Sequence, residues 1–139
     1  MAPNQYEIFL SHGSDDSWIA AQIARRVQEV GAMPFLDETN IPKGANFKEI
    51  INHEIKRSHE LIALFTPWSS KRSWVWIKIG AAWGQNKPVV AVFYRMGLND
   101  LEASGQGKGI LEDINIVQLN DIEQYFAELA TRVTGAAHV

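Results

Sequence analysis

Five short apolar runs separated by longer amphipathic stretches set the strongest constraint on how this chain can fold. They are Tyr6–Leu10, Met33–Leu36, Leu61–Phe65, Pro88–Tyr94 and Ile114–Leu119. Such runs are too short for buried helices and read as strands. Between them, Ile19, Ile23, Val27 and Val30 recur at helical spacing, with Ser14, Asp15 and Asp16 at the front and Gly31 as a stop. Here the acidic pair is expected to cap the helix. Phe47, Ile50, Ile51 and Ile55 mark a second helix, and Ile122, Phe126, Leu129 and Val133 a closing one. Ser69 to Gln85 fits both periods, since Val75, Ile77 and Ile79 alternate while Trp76, Gly80 and Trp83 repeat at helical spacing. It is too long for an ordinary strand and is assigned as helix. Strands alternating with helices imply a parallel sheet covered on both faces. The near-continuous apolar character of Leu61–Phe65 agrees with that. Met96 to Gly109, with Gly97, Gly105, Gly107 and Gly109, reads as a long loop.

The chain has 139 residues, which fits one domain with a core that needs no disulfide or structural metal. It contains no cysteine, which excludes thiol catalysis, Cys-based zinc sites and iron–sulfur clusters. A net charge of −3 argues against a sequence-independent grip on nucleic acid or on acidic lipid. No basic leader precedes an apolar stretch, and no run approaches the ~20 apolar residues of a membrane span. A soluble, cytoplasmic protein is expected.

In an open parallel sheet the ligand sits beyond the carboxyl ends of the strands. That directs attention to Ser11–Asp16, Asp37–Phe47, Thr66–Lys78 and the segment after Tyr94. Asp15 and Asp16 resemble the magnesium-binding pair of a phospho-acceptor receiver, but Leu64-Phe65-Thr66 lacks the aspartate such a domain needs at the third strand's end. Gly105-Gln106-Gly107-Lys108-Gly109 lacks the GxxxxGK[ST] spacing of a phosphate cradle. His12, His53, His59 and His138 show no metal-ligand spacing, so no metal site is expected. Ser11 and His12 have no GxSxG elbow and no orienting acid. The tryptophans read mostly as core or interface, with Trp74 set apart because it shares a helix face with Lys78 at the mouth of the crevice.

Three motifs in order then carry a resemblance. They are Tyr6-Glu7-Ile8-Phe9-Leu10-Ser11-His12 with Asp15-Asp16; Phe35-Leu36-Asp37 followed by Ile41-Pro42-Lys43-Gly44-Ala45-Asn46-Phe47; and Ser70-Lys71-Arg72-Ser73-Trp74 with Gly80-Ala81-Ala82-Trp83-Gly84 and Lys87-Pro88-Val89-Val90. Over nearly its whole length the chain resembles a Toll/interleukin-1 receptor (TIR) domain, most closely the prokaryotic type of antiphage defence. The resemblance implies a flavodoxin-like three-layer sandwich, a five-stranded parallel sheet with helices on both faces. It implies cleavage of NAD⁺ at the nicotinamide–ribose bond, to ADP-ribose or a cyclic isomer, with NAD⁺ as substrate and no cofactor. By the same resemblance Ser11, His12, Phe35, Leu36 and Asp37 line the crevice and the loop carrying Gly44 and Phe47 gates it. Ser70, Ser73 and Trp74 are then expected to bind substrate, with Trp74 packed beside the ribose. The implied partners are other TIR domains, in a homo-oligomer or filament, and a fused or associated sensor module.

The family places a catalytic glutamate four residues after the tryptophan, where this chain reads Trp74-Val75-Trp76-Ile77-Lys78. Lys78 therefore occupies the catalytic position without the catalytic group. Glu38, Glu49 and Glu54 are carboxylates of the right type, but none lies at the matching position. A lysine there is expected either in a pseudoenzyme that binds or assembles, or in a chain carrying an inactivating change, since draining NAD⁺ is toxic to the host. A non-enzymatic interaction module that assembles with other TIR domains is the alternative function.

Overall fold

A computed structural model describes residues 5–36, 46–105, 107 and 109–137. Strands β1 (Glu7–Ser11), β2 (Met33–Leu36), β3 (Glu60–Phe65), β4 (Val89–Phe93) and β5 (Asn115–Gln118) form one sheet, and all its pairings are parallel. The strand order is β2-β1-β3-β4-β5, the doubly wound order of the flavodoxin-like sheet that the resemblance implies, and the parallel pairing is what the alternation of strands and helices implies. Helices α1 (Ser17–Glu29), α2 (Phe47–Arg57), α3 (Ser73–Gly84), α4 (Leu98–Ser104) and α5 (Ile122–Ala137) connect and cover it.

Alternation along each strand sends neighbouring side chains to opposite faces. Ile8, Leu10, Ile62, Leu64, Val90 and Val92 pack against α1 and α5, with Ile23, Val27, Phe126 and Leu129 opposite them. Phe9, Leu61, Ala63, Phe65, Ala91 and Phe93 face the other way, against Ile51 and Ile55 of α2 and Val75 and Ile79 of α3. The central strands β3 and β4 are buried along their whole length, which explains their unbroken apolar character.

Two expectations need correcting. Residues 98–104 form α4 rather than loop: the Asp100 carboxylate accepts from the Gly97 amide at 2.7 Å, Leu101 is buried, and Gly105 closes the helix at φ 75°. Farther on, Gly107 (φ 70°) lies so close to the Trp76 ring that a Cβ would stand 2.3 Å from it, so this glycine sets the approach of the following segment to α3. The tryptophans are also less buried than expected. Trp18, Trp68, Trp74 and Trp83 are exposed, and only Trp76 packs against the core, with its indole N–H donating to the Ser70 carbonyl at 2.9 Å.

One buried charge ties the amino-terminal edge of the sheet together. Glu60, 1% exposed at the start of β3, accepts from Tyr6 Oη and Tyr125 Oη at 2.5 Å each, and from Arg132 Nε and Nη2 at 3.0 Å each. It thus joins β1, β3 and α5 through a carboxylate whose lone pairs are all used. Burial, reinforced by Glu60, pushes the Tyr6 phenol up to about 12 and raises Tyr125 as well. In the unfolded chain both return to about 10. Above pH 10 the folded state therefore holds more protons than the unfolded one, and stability falls as the pH rises through 12. Chemical denaturation should show a constant midpoint between pH 8 and 9.5 and a steep decline from pH 10 upward. A flat midpoint to pH 11.5 would remove the tyrosine–carboxylate cluster as a source of stability.

Among the described residues no helix is long and apolar enough to cross a membrane, and no group of three His, Asp or Glu residues is placed to hold a metal ion.

Candidate functional site

The chain reverses its direction of travel across the sheet between β1 and β3, and the carboxyl ends of these two strands bracket the candidate site. β1 ends at Ser11, and the chain then makes a tight passage through His12 and Gly13. The His12 ring is buried, with Nδ1 donating to the Gly13 carbonyl at 2.8 Å. This agrees with a turn-shaping role for the imidazole. Gly13 is packed so closely that an added Cβ would sit 3.3 Å from Ser69 Cβ. Ser11 is fully buried, and its Oγ has no hydrogen-bond partner among the described residues.

Asp16 was expected to cap α1, yet its side chain makes no capping bond. Its carboxylate is buried and accepts from Thr66 Oγ1 at 2.7 Å. Ser69 Oγ donates to the Leu64 carbonyl at 2.9 Å and accepts from the Thr66 amide at 2.9 Å, while the Ser69 amide donates to Thr66 Oγ1 at 3.2 Å. Asp15, also expected in the cap, is exposed and pairs with Arg72 at 3.5 Å. These bonds fix the turn after β3 against the turn after β1, and so set where α3 begins. Thr66→Val keeps the shape but leaves the buried Asp16 carboxylate without that donor. The loss is expected to be about 2 kcal/mol, read from urea unfolding. A change under 0.5 kcal/mol would mean that the two turns are held independently.

α2 opens with Asn46 as its cap, the side-chain oxygen accepting from the Glu49 amide at 3.2 Å. This places Phe47 at the helix's first position, where its ring meets Trp74 edge-on at 5.4 Å between centroids. α3 begins at Ser73, so Trp74 and Lys78 lie one turn apart on the same face. Two hollows share these two residues in their walls. One, of about 410 Å³, is completed by Gly13, Ser14, Phe47, Arg72 and Ser73. The other, of about 370 Å³, is completed by Lys48, Ile51, Asn52, Ile77 and Ala81. Lys78 is only 4% exposed, so its stem forms part of the wall between α2 and α3.

The structure thus brings Phe47, Ser73, Trp74 and Lys78 together. Ser11 and His12 lie beneath the site rather than in its wall. Phe35 packs on Phe9 at 5.4 Å and lines a separate hollow with Met33, Pro34 and Glu54, whereas Leu36 joins the core on the opposite sheet face. Ser70 is buried and contributes its carbonyl to Trp76. Asp37 and Gly44 lie outside the described residues, as does Glu38. Glu49 and Glu54 stand in neither of the two hollows. Sequence reasoning overlooked Arg72, Lys48, Ser14 and Asn52. The cue for Arg72 was its place in Lys71-Arg72-Ser73, immediately before a helix that starts at the crevice.

Chemically, the described lining offers an aromatic platform, two serine hydroxyls, an amide and three cations, Lys48, Arg72 and Lys78, with no carboxylate. Such a wall suits stacking and contact with phosphate oxygens. Its described residues offer no negative charge to set against a developing positive one.

Residues 8–131 match the sequence model of a family described as TIR domain. No curated protein matches the chain in sequence. Among solved structures, the TIR domain of the Toll-related receptor TRR-2 from Hydra magnipapillata superposes with a TM-score of 0.68 at 16% identity, over 92% of this chain and 97% of that one. The CMP N-glycosidase BcmB of Clostridium botulinum gives 0.60 at 16% identity, over 88% and 97%. The TIR domains of the activated Roq1 resistosome, which recognises the pathogen effector XopQ, give 0.61 at 17% identity, over 97% and 85%. At these identities the likeness is one of fold.

Proposed function

Because the chain belongs to the TIR-domain family, we propose that its crevice is a site for cleaving the nicotinamide–ribose bond of NAD⁺, disabled in this chain at position 78. The observation that carries the proposal is the place of Lys78: one turn after Trp74, in the wall of both hollows, with no carboxylate among the described lining residues. A CMP N-glycosidase of similar fold supports N-glycosidic chemistry on this architecture.

In that reaction the carbon–nitrogen bond to nicotinamide breaks, and the electron pair leaves with the ring as a neutral molecule. Little acid assistance is needed. Water then adds to the ribose cation and loses a proton, giving ADP-ribose, or a nitrogen of the same molecule closes the ring instead. The barrier lies in the cationic, oxocarbenium-like sugar, which a neighbouring carboxylate stabilises. Trp74 supplies a flat wall for the ribose and Phe47 braces it. The ammonium of Lys78 has the wrong sign for the cation. Its test is NAD⁺ loss followed by chromatography for the chain and for Lys78→Glu, with crowding to promote assembly. A folded Lys78→Glu that stays inert under all those conditions sinks the proposal.

A second reading, an assembly module working through TIR–TIR contacts, is favoured by a different surface. Trp18, 74% exposed, stands beside Ile19, Leu119, Ile122 and Phe126 in an apolar groove between α1 and α5. The Roq1 TIR domains act within an assembled resistosome. Concentration-dependent light scattering that persists in a chain unable to cleave NAD⁺ would favour this reading. The two functions are compatible in one chain.

A further inference from the structure

The charges in the crevice also bear on which nucleotide it prefers. Three of its walls carry cations: Lys48 on α2, Arg72 before α3, and Lys78 within α3. Arg72 is engaged by Asp15 at 3.5 Å, with both side chains at least half exposed, so its guanidinium keeps donors for a ligand. Ser14 and Ser73 add hydroxyls to the same hollow. Ser11 ends β1 on the face that carries Phe9, turned to the α2–α3 layer, and its fully buried Oγ lacks a partner among the described residues.

NAD⁺ has two faces for such a wall. Its pyrophosphate is anionic and is attracted, whereas its pyridinium ring is cationic and is repelled where Lys78 stands. A nucleotide with the same pyrophosphate and ribose but no pyridinium keeps the attraction and loses the repulsion. We infer that the crevice selects pyrophosphate nucleotides that lack the pyridinium, of the nucleoside diphosphate-sugar class, over NAD⁺ itself, and that Lys78 sets the preference. This rests on the crevice being a nucleotide site, as proposed above. It adds that the lysine converts a site for a cationic substrate into a receptor for an anionic one.

Isothermal titration of ADP-ribose, ADP and NAD⁺ into the full chain tests the inference. ADP-ribose should bind at least tenfold more tightly than NAD⁺, with ADP close to ADP-ribose. Lys78→Gln removes the charge without supplying a carboxylate and should shrink that ratio to less than threefold. Arg72→Gln should weaken all three ligands by a similar factor and leave the ratio intact, because it acts on the shared pyrophosphate. Circular dichroism on each variant confirms the fold. Equal affinity for ADP-ribose and NAD⁺ in the starting chain, or a ratio that survives Lys78→Gln, overturns the inference. If Lys78→Glu cleaves NAD⁺ while the starting chain shows no preference, only this inference fails. If no nucleotide binds and Lys78→Glu is inert, the nucleotide site itself is wrong and the inference falls with it.

Discussion

Lys78→Glu is expected to raise NAD⁺ cleavage about a thousandfold over the starting chain. Two unit charges about 4 Å apart interact by roughly 4 kcal/mol at an effective dielectric of 20, and each 1.36 kcal/mol of barrier is a factor of ten. The substitution replaces repulsion of the ribose cation by attraction, so three decades is the scale to look for. The site can accept the change. Glutamate is shorter than lysine, and the cations Lys48 and Arg72 in the neighbouring walls favour an ionised carboxylate at that point. Lys78→Gln removes the repulsion without supplying the carboxylate and should stay near background. Initial rates of nicotinamide release, compared at matched folded concentration, separate the three proteins. A Lys78→Gln variant as fast as Lys78→Glu would show that removing the lysine is enough and that the carboxylate is dispensable.

Glu60→Ala is the second large effect, here on stability. It removes the shared acceptor of Tyr6, Tyr125 and Arg132 at one stroke. The two phenols then lie buried without a partner, whereas Arg132, more than a third exposed, can turn to water. Breaking a buried charge cluster from one side costs about 3 kcal/mol, which for a chain of this size lowers the melting temperature by roughly 10 °C. Glu60→Gln keeps one acceptor and should lose about half as much. In both variants the alkaline decline, which still starts near pH 10, should be shallower, because the carboxylate no longer helps to hold the tyrosine protons. A melting temperature within 2 °C of the starting chain for Glu60→Ala would show that the cluster contributes little net stability.

What could be seen in advance follows from how local each signal is. Five apolar runs gave five strands: β1, β3 and β4 stand out because a strand buried on both faces must be apolar throughout, while the edge strands β2 and β5 are shorter and partly exposed. α3 was ambiguous for a related reason: Val75 and Ile79 face the core while Trp74 and Ile77 face outward, so no polar side marks its period. α4 was hidden by its flanking glycines. Gly97 and Gly105 read as loop residues, yet they are the helix's two ends, and the spacing from Gly97 to Asp100 was the available cue. Asp16 was read as a local cap because its true partner, Thr66, lies 50 residues away. Glu60 drew no attention at all, for its partners, Tyr6 just before β1 and Tyr125 and Arg132 in α5, lie more than 50 residues away and leave no local periodicity. Within the site, Phe47, Ser73, Trp74 and Lys78 were legible through the resemblance, whose loop and Trp-x-x-x-Glu motifs fall at the starts of α2 and α3. Phe35 and Leu36 were misplaced as a pair because adjacent strand residues point to opposite faces.

β3 carries one further consequence. Glu60 anchors its first residue, and Thr66, just past its last, holds the turn that launches α3. Six residues of extended chain separate them by roughly 20 Å. Effects at that distance combine nearly independently. A change of side chain at position 78, at the crevice end, therefore leaves the contribution of the Glu60 cluster at the opposite pole intact. The same strand that fastens the frame isolates it from experiments in chemistry made at the other end.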